Sequence, residues 1–361
     1  MTKAAELAKM GEVLTNSQIG GRRNIIINGA MQVAQRGTSF TLENASAKYP
    51  IDRFFVQDVN SSAGEATVSQ STTAPTDFKN SLKIDVTTAD TSLAAGDQYK
   101  IEYRIEGQDI AHLNFGTSSA QTVTLSFYIR SNKTGNTSVA LLNSDNNRAY
   151  VATFTIDSAN TWERKEITIA GDQSGTWLDT NGIGLRLRWG SFGSTAQTSS
   201  VNQWQANQVM STNSSPINFF DSTDNELYLT GVQLEVGEQA TPFEHRSFGE
   251  ELALCQRYYQ KISGGSDAYT VSAKAQGTSS VDATIPLTVS LRASPTLNSI
   301  DSRTFSDGGF AASSSTTPTA LQYSDNNIVL AINLGGFTGL TNNEIQNLSP
   351  HASELKIDSE L

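Results

Sequence analysis

Acidic residues in the stretch DSTDNE are the first candidates for chemistry in this sequence. Asp221, Asp224 and Glu226 lie close together before a predicted strand, and carboxylate oxygens are the ligands that Ca²⁺ prefers. The stretch lacks the D-x-[DN]-x-[DN]-G pattern of a calcium loop, which favours a solvated turn as the alternative. The sequence also shows no H-x-x-x-H pair, G-x-S-x-G elbow or Walker A loop. We therefore predict no catalytic residue and no cofactor, and keep this loop as the one metal-site candidate.

Aromatic residues are the second group that could bind a ligand. An exposed indole face matches the C–H face of a sugar ring, and the chain has four tryptophans, Trp162, Trp177, Trp189 and Trp204. Trp177 follows GDQSG, a predicted loop, and is the best placed, whereas Trp189 ends an alternating strand and is predicted to lie in the core. We predict Trp177 and Trp204 as ligand-binding residues. Packing is the alternative for each of them.

Composition and charge exclude several classes of function. The 361 residues carry a formal net charge of -11, which argues against nonspecific binding to nucleic acid and against an anionic membrane surface. The single cysteine, Cys255, excludes an intrachain disulfide and a cysteine-based zinc site. We see no apolar run long enough to span a membrane. The N-terminal MTKAAELAKMGEVL lacks the apolar core of a signal peptide, so we expect synthesis in a cytoplasm.

Alternating polar and apolar residues dominate residues 24–246. In YKIEYRIEG the apolar side chains share one face and the charged ones between them take the other, and three further segments repeat this period of two. Strands with one solvated face predict antiparallel sheets packed face to face. In ELYLTGVQLEVG the apolar phase switches at Gly231, which predicts a bulge or bend at that residue.

These patterns predict a mainly β protein with four segments. Residues 1–23 form an N-terminal helix and linker; the helix is too short to be stable alone, so it docks on another copy or a neighbouring protein, or else is a frayed terminus. Residues 24–246 form a β domain. Residues 247–263 form a connecting helix, because Ser247 and Glu250 make a capping box. Residues 264–361 form a second, C-terminal β-sandwich domain.

Four separated motifs carry a resemblance to a known family. They are NIIINGAMQVAQRGTSF, YPIDRFFV, TWERKEITIAGDQSGTW and LYLTGVQLEVGEQATPFEHRSFGEELALCQRYY. In this order they resemble a family of phage tail-fibre and virion structural proteins, over residues 24–259. The resemblance implies that residues 24–246 form a jelly roll like that of carbohydrate-binding modules. It also implies a virion component, usually a homotrimer, and it brings no catalytic residues.

The resemblance further implies that the motif residues are framework and that variable loops meet the host. We predict framework roles for Arg36, Asp52, Arg53 and Gly231. Arg36 is expected to pair with Asp52 or Asp58 and close the first strand and its turn, and Asp52 and Arg53 could form a structural ion pair.

Three functions remain open from the sequence. The first is a non-enzymatic tail fibre that meets a host glycan or protein and contacts other virion proteins through its N-terminal helix. The second is an adaptor or capsid decoration protein without a receptor role. The third is a depolymerase, which needs two carboxylates in one groove, and no such pair stands out. In each case the protein is expected in the virion, without nucleic-acid binding or membrane insertion.

Overall fold

The computed structural model describes residues 3, 23–60, 63–262, 271–297, 304–305, 319–323, 329–335, 345–349 and 355–361. The predicted N-terminal docking helix lies outside these residues except for Lys3. The chain divides into two compact units, one formed by Met1–Glu251 with Leu361 and the other by Leu252–Glu360. In the described part of the chain, no helix has both the length and the apolar character needed to cross a membrane.

The first unit is a β-sandwich of two antiparallel sheets, with strands numbered in chain order. Sheet A has six strands in the spatial order β1 (Ser39–Leu42), β4 (Glu65–Ser71), β5 (Ser81–Thr88), β15 (Glu226–Val236), β7 (Val123–Ser131) and β10 (Glu163–Ile169). Sheet B has seven, in the order β13 (Trp204–Gln205), β9 (Ala149–Ile156), β8 (Gly135–Asn143), β11 (Ile183–Phe192), β6 (Gln98–Glu106), β3 (Phe54–Val59) and β2 (Ala47–Ile51).

Short elements connect these sheets. Helix α1 (Gly107–Ile110) and a turn of 3-10 helix (Ala111–Leu113) follow β6, and another 3-10 turn (Ser194–Ala196) follows β11. A small parallel pair, β12 (Gln197–Thr198) with β14 (Ser211–Thr212), lies within the long connection from β11 to β15. That connection packs on the outer face of sheet B, where Met210 and Val209 join Ala140, Leu142 and Val151 in a second apolar cluster.

The main core lies between the two sheets and confirms the predicted apolar faces. Tyr99, Ile101 and Tyr103 of β6 and Phe127 of β7 are at most 1% exposed within one cluster. Trp189 is buried in the same cluster, as predicted from its place at the end of an alternating strand.

The opposite face of β6 corrects the prediction of a solvated face. Glu102 and Glu106 are 0% exposed and Lys100 is 7% exposed. Alternation shows which residues share a face, but it does not show whether that face is covered. Glu102 and Lys100 stay buried because Glu102 is held by ion pairs to Lys100 and to arginines of β6 and β11, and Glu106 accepts from Gln108 Nε2 at 2.7 Å.

Strand β15 has the predicted bulge at Gly231. Its register against β7 shifts between Thr230 and Gln233, so that Leu229 and Leu234 both reach the core. Gly231 has φ +61°, and a Cβ there would lie 2.7 Å from Phe78 Cζ and 2.9 Å from Tyr128 Cδ2. Both the backbone conformation and the close approach therefore require glycine.

The first motif forms a buried seam along β15, closed by asparagine side chains. Asn24 donates from Nδ2 to the Val232 carbonyl (3.1 Å) and accepts the Leu234 amide at Oδ1 (3.1 Å). Asn28 has φ +60° and is fully buried. Its Nδ2 donates to the carbonyls of Val33 and Asp52 (both 2.9 Å), and its Oδ1 accepts the amides of Gln32 and Val33 (2.9 and 3.0 Å). The two asparagine side chains thus supply the hydrogen bonds that the buried backbone groups of this turn cannot make to solvent.

The last motif closes the other side of this seam. Glu251 Oε1 accepts the Asn28 amide (2.5 Å) and faces Arg246 Nη1 at 3.3 Å. Arg246, buried as well, donates to the carbonyls of Ile26 (3.0 Å) and Asn24. Residues separated by more than 200 positions therefore share one hydrogen-bonded network. This network joins the first and the last segment of the β-sandwich domain to each other.

The run Gln35–Gly37 and the Asp52–Arg53 turn belong to the same structure. Asp52 is 1% exposed and accepts the Gln35 amide at Oδ1 (2.9 Å), and Arg36 Nη1 lies 3.9 Å from the same oxygen. Arg53, with φ +74°, donates to the Arg104 carbonyl (2.5 Å) and lies over the Tyr103 ring. The polar residues of this stretch bind backbone groups and pack on core side chains, and they do not line an open site.

The second unit contains two sheets. One has the order β16 (Tyr259–Ile262), β24 (Leu355–Asp358) and β19 (Thr296–Leu297). The other has the order β20 (Thr304–Phe305), β23 (Ile345–Ser349), β17 (Val271–Ala275), β18 (Ser280–Pro286), β22 (Val329–Gly335) and β21 (Thr319–Tyr323).

Helix α2 (Phe248–Gln256) is shorter than the predicted helix over residues 247–263. Its start agrees with the predicted cap, because Ser247 Oγ accepts the Glu250 amide at 3.2 Å. Its end does not, because Tyr259–Ile262 is strand β16, paired antiparallel with Leu355–Asp358. A partner strand almost 100 residues away overrides the helical spacing.

Candidate functional site

The structure brings the two predicted ligand-binding tryptophans together at one end of the sandwich. The ring centroids of Trp177 and Trp204 are 5.4 Å apart at an interplanar angle of 86°, and both rings also pack edge-on against Phe115. Each indole N–H donates to a backbone carbonyl, Trp177 to Ser174 (3.2 Å) and Trp204 to Ala170 (2.7 Å). The pair thus packs with its polar groups satisfied inside the chain, and stacking on a sugar stays a prediction.

The loops around this tryptophan pair are fixed by buried polar contacts. Arg148 donates from Nε and Nη2 to the two carboxylate oxygens of the buried Asp172 (2.7 and 2.5 Å), and this hydrogen bonding raises the pKa of Arg148. Asn143 accepts the Arg148 amide (3.1 Å) and donates to the Thr176 carbonyl (3.1 Å). Two-point pairing of this kind makes the loop end rigid.

The acidic loop is not assembled as a metal site. Asp221 pairs with Lys133 and accepts from Asn225 Nδ2 at 2.8 Å. Glu226 pairs instead with Lys83 at 2.6 Å on sheet A, and Asp224 offers its backbone carbonyl to Asn132. Within the described ranges, no three histidine, cysteine, aspartate or glutamate side chains are grouped so that they could hold a metal ion.

A cavity of about 300 Å³ opens at the edge of sheet B where strands β8 and β9 meet the connection from β11 to β15. Its lining residues are all uncharged: Asn136, Thr153, Phe154, Thr155, Val201, Thr212 and Ser214. Along β9 the lining residues Thr153 to Thr155 lie about 10 to 16 Å from Tyr150, which packs on Trp204, at roughly 3.3 Å per residue. The cavity and the tryptophan pair share no residue and are two neighbouring candidate sites.

Hydrogen bonds within the wall hold the cavity open. Thr155 Oγ1 donates to Asn136 Oδ1 at 3.0 Å, and the Asn136 carbonyl accepts the Ile217 amide at 2.8 Å. On the facing loop, the Ser214 amide donates to Thr212 Oγ1 at 3.1 Å. The wall is thus preformed and does not depend on a ligand for its shape.

Phe154 and Val201 are the two apolar residues in the lining of the cavity. The position of Phe154 follows from its strand. Its ring packs edge-on against Phe127 of the core, with centroids 5.2 Å apart, and remains half-buried. Alternation along β9 directs this ring to the core and the Thr153 and Thr155 side chains to the opposite face, where Thr155 meets Asn136. The hydroxyl and amide groups of the lining can hydrogen-bond a neutral, polyhydroxylated ligand, and the partly buried Val201 offers an apolar contact to its C–H groups. The volume lies at the lower end of small-ligand pockets.

Sequence reasoning missed this cavity. The period of two directs Phe154 to the core, where its ring meets Phe127, and Thr153 and Thr155 resemble any outward strand threonine. The cavity exists because Val201 and Thr212, from the β11–β15 connection, lie across the end of β9. One local sign is Gly135 at φ +133°, where a Cβ would lie 2.6 Å from Ile217 Cγ2, so the connection runs tight against β8.

Comparisons with known proteins give structural neighbours and no family. No protein-family model matches the chain, and no curated protein matches it. The enzymatically active domain of tailspike protein 4 of bacteriophage CBA120 is similar with a TM-score of 0.30 and 11% identity, over 60% of this chain and 22% of that one. The C-terminal family 22 carbohydrate-binding module of Clostridium thermocellum Xyn10B has a TM-score of 0.31 and 12% identity, over 60% and 98% of the two chains.

A third neighbour is the family 11 carbohydrate-binding module from Clostridium thermocellum, solved with a mixed-linked tetrasaccharide. It has a TM-score of 0.28 and 11% identity, over 56% of this chain and 98% of that chain. The neighbours are thus carbohydrate-binding modules and a phage tailspike domain. Similarity of this extent says nothing about which ligand this chain binds.

Proposed function

We propose that this chain is a non-enzymatic structural protein of a phage virion, a tail fibre that binds a host-surface glycan through the cavity at the edge of sheet B. The observation that carries the glycan part is the cavity itself. Its lining combines hydroxyl and amide groups with the apolar residues Phe154 and Val201 and has no charged residue, which suits a neutral sugar.

The position of the cavity in the sequence supports a division between framework and binding residues. The motifs that resemble the virion family include Asn24, Asn28, Asp52 and Arg246, which are buried in the seam. The cavity residues lie outside all four motifs, at the start of β8, at the end of β9 and on the β11–β15 connection. Residues that vary between proteins with different hosts are expected on such loops.

The remaining parts of the proposal concern assembly. The chain is a homotrimer in the virion, and residues 1–23 attach it to other virion proteins. No cofactor is needed. The acidic residues Asp221 and Glu226 are tied to lysines, which supports a binding role for this chain over a carboxylate-dependent depolymerase.

Binding to an array of bacterial surface glycans tests the glycan part. The variant Thr155→Trp fills the cavity mouth from an exposed strand position. Thr88→Trp is the matched control, because Thr88 is also an exposed strand threonine whose hydroxyl donates to one side-chain oxygen, that of Glu65. We expect the wild type and Thr88→Trp to bind the same glycans, and Thr155→Trp to lose at least tenfold in affinity. Equal binding by all three proteins contradicts the cavity assignment.

Two further measurements test the remaining parts. Antibodies against the chain are expected to label intact phage particles, and unlabelled particles contradict a virion role. Reducing-sugar release from a bound polysaccharide is expected to stay at the level of a blank. Release that disappears when one Asp or Glu is replaced assigns the chain to the depolymerases instead.

A further inference from the structure

The hydrogen bonds inside the wall of the cavity decide which of its polar atoms are left for a ligand. Asn136 and Thr155 stand directly opposite each other in the β8–β9 pair, and Thr155 Oγ1 donates to Asn136 Oδ1 at 3.0 Å. The amide oxygen of Asn136 thus already accepts a bond, whereas its Nδ2 donates to no atom of the described residues. The Asn136 side chain therefore offers a ligand a hydrogen-bond donor.

Two further hydroxyl groups of the lining have the same bias toward donation. Thr212 Oγ1 accepts the Ser214 amide at 3.1 Å, and Thr153 Oγ1 accepts Asn202 Nδ2 at 3.4 Å. Both oxygens act as acceptors in these bonds, so both hydroxyl protons remain for a ligand. The polar part of the cavity wall is therefore rich in donors.

Thr155 has the opposite bias and supplies an acceptor. Its proton is used in the bond to Asn136, so its oxygen can still accept a bond from a ligand. A donor, Asn136 Nδ2, and an acceptor, Thr155 Oγ1, thus belong to two adjoining side chains of the lining. A secondary amide presents the matching pair of groups, a carbonyl that accepts and an N–H that donates.

The charge of the surroundings selects a neutral carbonyl over a carboxylate. Donors of this kind can bind either group, but a carboxylate also needs a cation when it leaves water. The lining of the cavity contains no charged residue, and the whole chain carries a formal net charge of -11. A neutral ligand is therefore favoured.

The size and the apolar part of the cavity limit the ligand further. A volume of about 300 Å³ is at the lower end of small-ligand pockets and suits a single sugar unit. Val201 lines the same cavity and packs against the apolar cluster on the outer face of sheet B. It offers a contact to a methyl group next to the polar atoms of Asn136 and Thr155.

We infer that the cavity binds an N-acetylated amino sugar and recognises its acetamido group. The acetamido carbonyl accepts from Asn136 Nδ2, its N–H donates to Thr155 Oγ1, and its methyl group contacts Val201. This inference rests on the glycan binding proposed above and names the class of sugar; it does not require the virion role.

Titration of the full chain with two matched pairs of methyl glycosides tests the inference, followed by saturation-transfer NMR of the sugars. The pairs are N-acetylglucosamine with glucose and N-acetylgalactosamine with galactose, whose members differ only in the acetamido group that replaces a hydroxyl. We expect the acetamido sugar of at least one pair to bind at least tenfold more tightly than its partner. Equal binding within both pairs overturns the inference, as does an absence of binding by all four sugars.

The variant Asn136→Asp assigns the preference to the cavity. It replaces the Nδ2 donor by an oxygen of the same shape, which repels a carbonyl, and keeps the oxygen that Thr155 bonds. Asn44→Asp is the matched control, because it adds the same charge at an exposed residue of the turn between β1 and β2. We expect Asn136→Asp to bind the acetamido sugar at least tenfold more weakly than Asn44→Asp and the wild type.

Equal binding of the acetamido sugar by Asn136→Asp and Asn44→Asp overturns the inference. Should Asn136→Asp fail to fold, Thr155→Val is titrated in its place, since it keeps the branched shape at an exposed strand position and removes the acceptor. The same loss is expected.

The glycan array separates a failure of this inference from a failure of the proposed function. Array binding that Thr155→Trp abolishes, without a preference for acetamido sugars, leaves the proposed function standing and overturns the inference. An array without bound glycans, together with a preference for acetamido sugars that Asn136→Asp removes, contradicts the host-glycan proposal and supports the acetamido site.

Discussion

Replacing Asn28 by alanine removes the side chain that closes the seam at four points. The change leaves the buried Val33 amide without its partner and removes the bonds of Asn28 to the Gln32 amide and to the carbonyls of Val33 and Asp52; the Val33 carbonyl keeps the Asp52 amide at 3.0 Å. The buried Val33 amide costs about 1.5 kcal/mol and each of the other three lost hydrogen bonds about 0.5 to 1 kcal/mol, which together make about 3 to 4.5 kcal/mol. The left-handed backbone at φ +60° adds about 1 kcal/mol for alanine.

We therefore expect the free energy of unfolding to fall by about 4 to 5.5 kcal/mol. Urea unfolding followed by tryptophan fluorescence measures it, because all four tryptophans lie within the unit Met1–Glu251. Asn44→Ala is the matched control: Asn44 has φ +52° and is exposed, so only the backbone term of about 1 kcal/mol applies. If Asn28→Ala is no less stable than Asn44→Ala, the reasoning about the seam is refuted.

Three further predictions follow from the fold, the electrostatics and the proposed assembly. Gly231→Ala is expected to lower the free energy of unfolding by about 2 to 4 kcal/mol in the same urea assay, because of backbone strain and the contacts with Phe78 and Tyr128. Gly249→Ala is the control and is expected not to destabilise, because an added Cβ there meets open space. Equal losses of stability in the two variants contradict the bulge argument. Burial lowers the pKa of Lys100 from its ordinary 10.5 to about 8 in the folded chain. Between these two pH values the unfolded chain binds one more proton than the folded chain, so the free energy of unfolding is expected to rise with pH by roughly 3 kcal/mol relative to Lys100→Met. Parallel pH profiles of the two proteins contradict this. Light scattering with size exclusion is expected to give about three times the chain mass of 38.8 kDa, and a monomer contradicts assembly as a free trimer.

The sequence predicted the β-sandwich because its strands are long enough for a period of two to be unambiguous. In β6 the alternation assigns Tyr99, Ile101 and Tyr103 to the core, where the structure has them. The same alternation cannot tell a solvated face from a covered one, so the burial of Glu102 was missed. That burial depends on arginines of β11, which lie some 85 residues further along the chain.

The predicted C-terminal end of helix α2 was wrong for a different reason. Leu252, Cys255 and Tyr259 recur at helical spacing, but Tyr259 already belongs to strand β16. Short apolar segments fit either period, and the choice is made by pairing with Leu355–Asp358. The phase switch at Gly231 was predictable, because glycine and a change of alternation occur together in one strand.

The candidate site could be predicted only in part. Tryptophans in loops are visible in the sequence, and the structure does bring Trp177 and Trp204 together. The cavity beside Phe154 depends on where a connection of more than 30 residues crosses sheet B. No spacing rule relates Thr212 to Thr155 over that distance, so geometry alone reveals the site.

A crystal structure of the chain soaked with an oligosaccharide selected from the glycan array tests the central claim most directly. The account predicts electron density for a sugar ring within the cavity, within hydrogen-bond distance of Asn136 or Thr212. Density on the Trp177–Trp204 pair with the cavity empty, at a sugar concentration that saturates binding in solution, contradicts it.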